Sequence, residues 1–135
     1  MLPFMHQIRT TRRIDGNYTL QYEADMYRHF DDSVGAVCDP MKRDGLFEVP
    51  FGVLVRDGFD NIITAGRSAS GEGLAWNVLR VIPQAILSGQ AAGVACAHAI
   101  EEGCAITDIN ITNLQKVMEE TGNIIHFDDA LVPKE

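Results

Sequence analysis

The sequence is short of basic charge. Eleven Lys and Arg stand against nineteen Asp and Glu, a formal charge of -8 over 135 residues, the wrong sign for an electrostatic grip on nucleic acid or on an anionic membrane surface, so neither is expected as a partner. It is also short of cysteine: Cys38, Cys96 and Cys104 are odd in number, widely spaced and form no C-x-x-C pair. That argues against a disulfide framework and a cysteine zinc site and predicts three reduced thiols, with Cys96 an inert sulfur buried on an apolar helix. No apolar run is uninterrupted for the length of a bilayer. Residues 79–100 come nearest but carry Arg80, Gln84, Ser88, Gln90 and His98, each costly at a membrane centre, and are expected to form a buried helix of a soluble protein. The first six residues show no basic stretch followed by an apolar one, so no secretory signal is read and a cytoplasmic location is the default expectation. There is no repeat and no low-complexity linker. What is present is 46% hydrophobic residues, enough for one domain with a real core.

Along the chain, residues 7–22 alternate Ile8, Ile14, Tyr18, Leu20 and Tyr22 with polar residues around Asp15-Gly16-Asn17, a pattern that predicts a hairpin of two strands. Residues 23–30 suit a short helix. Strands are expected at 34–38 and 47–55, separated by the loop Asp39-Pro40 to Asp44-Gly45. After the polar turn at 56–61, the β-branched run Ile62-Ile63-Thr64-Ala65 ends at Gly66 and predicts a buried strand followed by a tight turn. Residues 68–73 read as loop. A long helix is expected from about Pro83, whose fixed φ suits a first helical turn, to Glu102, with Gly103 closing it in the left-handed conformation. A second amphipathic helix follows with Ile111, Leu114, Val117 and Met118 on one face and Gly122 as its stop, and the last residues read as a surface tail.

The long helix carries a stripe of small side chains, Ala85, Gly89, Ala92, Gly93 and Cys96. Two glycines inside a helix cost about 1 kcal/mol each relative to Ala, a cost usually offset by a close approach of another backbone or a flat ligand. Tight packing against this stripe is therefore expected, either of helix on sheet or of helix on cofactor.

Three ordered blocks, Asn61-Ile62-Ile63-Thr64-Ala65-Gly66-Arg67, Arg80-Val81-Ile82-Pro83 and Gly89-Gln90-Ala91-Ala92-Gly93-Val94-Ala95, resemble the carboxy-terminal segment of FAD-dependent oxidoreductases, in the fumarate reductase-like flavoprotein superfamily. Upstream, Arg12-Arg13-Ile14-x-Gly16-x-Tyr18-x-Leu20, Phe30-x-Asp32-x-Val34 and Val49-Pro50-Phe51 resemble the strands that precede the final FAD-binding strand there. The resemblance covers roughly residues 9 to 122. It implies an α/β fold: a truncated Rossmann-like FAD-binding segment, made of a terminal parallel strand plus the long helix, with β-strands from a substrate domain. Residues 1–57 would be substrate-domain strands and the return to the FAD domain, 58–104 the final FAD-domain strand, loop and long helix, and 105–135 a carboxy-terminal helix and tail.

The resemblance implies FAD as cofactor. It assigns Gly66 and Arg67 to the ribityl or phosphate region, and Val81, Ile82, Pro83 and Gln84 to the flavin ring. Physical chemistry suits that placement, because a helix start offers free N–H groups and a positive dipole end to the negative charge that gathers at the pyrimidine edge of a reduced flavin. Arg80, just before the helix, is the candidate catalytic residue, adding a fixed positive charge at flavin or substrate. Each has a plainer alternative: Arg67 and Arg80 as surface ion pairs worth about 0 to 1 kcal/mol, Arg12 and Arg13 as solvated charges, and His98 as a structural residue. His29 precedes Asp31 and Asp32, but neighbours in sequence seldom converge on one ion and no second His is close by, so no metal is expected. His126 carries no motif.

The dinucleotide turn G-x-G-x-x-G, with its acidic residue about twenty positions on, is not found in these 135 residues. Asn77-Val78 stands where the resembled family has smaller residues beside the flavin. Two functions follow as expectations. One is a carboxy-terminal portion of an FAD-dependent oxidoreductase that closes the flavin site and one wall of a small-molecule substrate pocket, inactive without an amino-terminal FAD-binding portion. The other is a non-catalytic interaction module that docks a partner polypeptide or self-associates through uncovered apolar surface.

Overall fold

The computed structural model describes residues 10–134. After an extended stretch comes a single helical turn, α1 (Tyr22–Asp25), then β1 (Ser33–Cys38) and β2 (Leu46–Pro50), a short helix α2 (Gly73–Leu79), the long α3 (Ile82–Glu102) and α4 (Ile111–Glu120). β1 and β2 pair antiparallel, with Ala36 opposite Glu48, Val37 opposite Phe47 and Cys38 opposite Leu46, and an irregularity between Ser33 and Ala36. Val34, Phe47 and Val49 are buried between this ribbon and the helices, joined in one core by Leu20, Leu54, Leu114 and Met118. The architecture is thus mixed helix and sheet, compatible with a portion of an α/β protein.

Among the described residues, the expected hairpin at 7–22 does not form. Residues 7–9 lie outside the described part, and from residue 10 onward the segment pairs with distant partners instead of with itself. The Ile14 N–H donates to Ser68 O, Asn17 to Val55 O, Tyr18 to Gly52 O and Leu20 to Ser70 O, at 2.8 to 3.0 Å. Alternation marked a half-buried segment that hydrogen-bonds to other backbone; it carries no information on which chain lies alongside. Gly16 is where the approach is closest: a Cβ there would sit 2.7 Å from Gly52 O, which only glycine avoids.

The buried parallel strand expected at 62–65 is also absent among the described residues. Ile63 makes one antiparallel bridge to Val55, Thr64 N–H donates to Leu54 O at 2.9 Å, and Ile62 is 48% exposed. A parallel strand needs parallel neighbours, and the chain that lies alongside this one runs the other way. The strand read at 47–55 ends at Pro50 and passes into a 3-10 turn, Phe51–Val53.

Two helical expectations hold and one element was missed. α3 begins at Ile82, next to Pro83, and ends where Gly103 adopts φ 64° and ψ 34°, its N–H donating to Ala99 O. α4 starts at Asn110, whose side chain accepts from the Asn113 N–H, and Gly122 stands just past it at φ 93°. The missed element is α2, which buries Ala75, Val78 and Leu79, the helical spacing i, i+3, i+4. It meets α3 at 73° because Val81 is held extended, at ψ 161°, before the helix restarts.

α3 is not the fully buried helix expected. One side, Gln84, Leu87, Ser88, Ala91 and Ala95, is buried, while Ile82, Ile86 and Ile100 are 76%, 66% and 82% exposed. Of the small-residue stripe, Ala85 meets the Gly66 turn, but the rest lies toward the open side: nothing comes within 4 Å of a Cβ placed on Gly89 or Gly93, and Cys96 is exposed instead of buried. The helix is apolar on two faces, and the described residues cover one. The last residues are no free tail either. Ile125 and Phe127 are buried, the Ser33 hydroxyl donates to Ile125 O at 2.8 Å, and Ala36 N–H donates to Ile124 O. Among the described residues no single helix is long and apolar enough to cross a membrane.

Candidate functional site

The turn after Ala65 is built on α3. Gly66 adopts φ 65°, its buried N–H donates to the Ser88 hydroxyl oxygen at 2.9 Å, and a Cβ at Gly66 would touch the Ala85 methyl at 3.4 Å. The left-handed φ explains glycine here, and the Ala85 methyl packs against it at ordinary contact distance. The following 3-10 turn, Gly66–Ser68, is fastened to α2 by the Trp76 indole N–H, which donates to Arg67 O at 2.8 Å. These contacts set the Arg67 side chain beside the start of α3.

There it meets Arg80, Val81, Ile82 and Pro83 around a cleft of about 420 Å³. Arg80 is half-buried, and its Nε–H donates to Asn77 Oδ1 at 2.7 Å. The Asn77 that departs from the smaller residues of the resembled family therefore aims the guanidinium. Neither Arg67 nor Arg80 pairs with a carboxylate among the described residues. Val81 gives the helix no side-chain cap, Pro83 has no N–H, and a helix cannot satisfy its own first N–H groups. The cleft thus joins two guanidinium groups to a positive helix end, with no acidic residue in its lining. That donor set matches the acceptor-rich, negatively charged parts of FAD, its pyrophosphate and pyrimidine edge.

Two of the residues assigned by resemblance stand apart from this lining. Gly66 shapes the turn from behind. Gln84 points to the other side of α3, 5% exposed, its Nε2–H donating to Cys38 O at 3.0 Å. It borders a second cleft of about 510 Å³ between β1 and α3, shared with Cys38, Asp39, Pro40 and Asn123. Its Oε1 is buried without a partner. Of the arginine pair near the start, Arg12 is exposed and Arg13 donates to the Ser70 hydroxyl at 3.0 Å and to Ile14 O.

A third arrangement was invisible in the sequence. His29, in the loop after α1, Glu48, in β2, and His126, in the carboxy-terminal segment, bring one ligand atom each to within 4.8 Å of one another. None of them lines the cleft at α3. The His29 ring also reaches Asp129 Oδ1 through Nε2 at 2.8 Å. Hydrogen bonds to Asp129 and then to Glu48 push the His29 pKa above its ordinary value, because both carboxylates favour the imidazolium. Sequence neighbours such as Asp31 and Asp32 give no sign of this cluster, because the partners of His29 lie 19 and 100 positions away.

Comparison with known proteins agrees with the residue-level resemblance. No curated protein and no solved structure matches the chain. The family model described as FAD dependent oxidoreductase matches residues 2–118, and FAD is the cofactor of that family. That match spans most of the 135 residues and takes in the whole lining of the α3 cleft, so the chain belongs to the FAD-dependent oxidoreductase family.

Proposed function

We propose that this chain closes the flavin site of an FAD-dependent oxidoreductase of the fumarate reductase-like kind, completing it together with an FAD-binding portion that carries the dinucleotide turn. One observation carries the reading: Arg67, Arg80, Val81, Ile82 and Pro83, assigned from sequence, line one cleft at the uncapped start of α3. When bound there, FAD supplies a ring that accepts a hydride or electrons from a small organic substrate. The chain's own residues bind and orient. Arg67 and Arg80 place positive charge on the acceptor-rich side of the site, and the α3 start adds N–H donors. Ile82 and Pro83 exclude water from one wall, and Asn77 fixes Arg80. Gln84 serves the neighbouring β1 side of the helix in this reading.

The open face of α3, with Ile82, Ile86 and Ile100 exposed around Gly89 and Gly93, supports the same reading. Smooth apolar helix surface of this kind is what a sheet packs against, and the FAD-binding portion is the partner proposed for it. The same face favours the second reading, a non-catalytic module that docks a polypeptide or a second copy of itself.

Flavin titration separates the two. The full chain is mixed with an FAD-binding polypeptide of the family that bears G-x-G-x-x-G, and FAD fluorescence and visible absorption are followed. Expected is one-to-one FAD binding by the mixture and none by the chain alone, with Arg67→Ala plus Arg80→Ala weakening it about tenfold or more, since charge-assisted hydrogen bonds contribute about 1.5–3 kcal/mol each. Stable association without a flavin spectrum would favour the interaction module. Undiminished FAD affinity in an associated double variant would remove the cleft from the site.

A further inference from the structure

Two imidazole nitrogens converge on one oxygen of a buried carboxylate. His29 Nδ1 lies 2.5 Å and His126 Nδ1 3.0 Å from Glu48 Oε1. The Glu48 side chain is inaccessible to solvent, and its second oxygen accepts the Phe30 N–H at 2.7 Å, which fixes the carboxylate plane. The His29 ring is stacked on Phe127 at 4.2 Å, and its far nitrogen meets Asp129 Oδ1 at 2.8 Å. The two imidazoles, 40% and 47% exposed, leave the outward side open to water.

We propose that His29 Nδ1, His126 Nδ1 and Glu48 Oε1 are the protein ligands of a divalent transition-metal ion, zinc by donor type, with Asp129 as the residue that positions His29. Two imidazoles and a carboxylate suit zinc and its first-row neighbours; calcium and magnesium prefer all-oxygen sets, and copper(I) prefers sulfur. The carboxylate behind a ligating histidine is the usual outer partner of such sites, where it fixes the tautomer that leaves the other nitrogen free to bind metal. Here Asp129 holds the Nε2 proton of His29 and leaves Nδ1 for the ion. Zinc bonds of about 2.0–2.2 Å in tetrahedral geometry hold neighbouring ligand atoms roughly 3.3 Å apart. The two nitrogen–oxygen spacings of 2.5 and 3.0 Å therefore open by less than about 1 Å, and the two imidazoles, whose ligand atoms lie within 4.8 Å of each other, reach the same separation by rotation of two half-exposed rings. Water completes the coordination.

The ion would join three segments, the loop after α1, β2 and the carboxy-terminal segment. His126 and Asp129 lie beyond residue 118, where the family match ends, so the site is a feature of this chain that the match does not assign. It does not depend on the flavin reading.

The test is titration of the chelator-stripped full chain, in a Cys38→Ser, Cys96→Ser, Cys104→Ser background, with Co²⁺ as a spectroscopic probe, followed by displacement with Zn²⁺. Expected is a saturable visible band at one Co²⁺ per chain that Zn²⁺ removes. His126→Ala, at an exposed position that leaves the fold intact by circular dichroism, should abolish the band, and Asp129→Asn should weaken binding about 10–100-fold. No saturable band up to millimolar Co²⁺ would overturn the proposal, and so would a band unchanged in His126→Ala.

Discussion

Ser88→Ala is the substitution that most directly tests how the cleft is built. Ser88 is 3% exposed; its hydroxyl accepts from the Gly66 N–H at 2.9 Å and donates back to Gln84 O at 2.8 Å. The methyl of alanine keeps the volume but removes the acceptor, leaving the buried Gly66 N–H without its partner. An unsatisfied buried donor costs about 1–3 kcal/mol, and the better helix propensity of alanine returns about half a kcal/mol. The expected loss is therefore about 0.5–2.5 kcal/mol, or a melting point lower by roughly 2–10 °C for a chain of this size. Urea unfolding followed by circular dichroism measures it, with an unchanged m-value showing that the denatured state is not the cause. Thr112→Ala, at an exposed site on α4, should stay within about 0.5 kcal/mol and serves as the control. A Ser88→Ala loss no larger than that control would refute the reasoning: the Gly66 N–H would then be finding water, and the turn that carries Arg67 would not be seated on α3.

Two further outcomes follow from the same structure. Cys96 is exposed on the open face of α3, so a thiol reagent should modify it in the native chain and slow at least tenfold when the FAD-binding portion is added; a native Cys96 that reacts only after unfolding would show that the face is already covered. The Tyr18 and Tyr22 hydroxyls donate to Asp25 and Asp39. Burial first and then Asp25 push the Tyr18 pKa up to about 12, and the bond to Asp39 does most to push Tyr22 up to about 12. A tyrosine with a folded pKa above its unfolded value near 10 binds its proton more tightly when folded, so its contribution to stability is intact below about pH 10 and is lost as pH rises toward 12. Absorbance at 295 nm should show two tyrosines ionising near pH 12, assigned by Tyr18→Phe and Tyr22→Phe. Complete ionisation of all three by about pH 11 in a still-folded chain would contradict the two hydrogen bonds.

Much of the helical framework was legible because its signals are local. Pro83 at the start and Gly103 at the end of α3, and Asn110 and Gly122 around α4, act through their own φ angles and adjacent N–H groups. α2 escaped because it is only two turns long, lies between glycine-rich residues and the Val81 break, and has no capping side chain. The strand expectations failed in a different way. Ile14, Tyr18 and Leu20 do hydrogen-bond to a neighbouring stretch of backbone, and Val55 and Ile63 do pair, but the partners and their direction differ from the expected hairpin and parallel strand. Alternation records that one face is buried; it is silent on the neighbour.

The sequence by itself determined the family, through blocks such as Thr64-Ala65-Gly66-Arg67 and Arg80-Val81-Ile82-Pro83, and it determined where the long helix begins and ends. It also nominated the cleft residues, since Arg67 and the α3 start are motif positions. Tertiary structure alone decided which of them meet, turning Gln84 to the far side of α3 and setting Asn77 against Arg80. It alone brought His126 to Glu48 across 78 positions, and it alone left one apolar side of α3 uncovered. Local signals act through bonds and dihedrals within a few residues. The convergence of distant side chains depends on how whole elements pack, and no spacing along the chain encodes that.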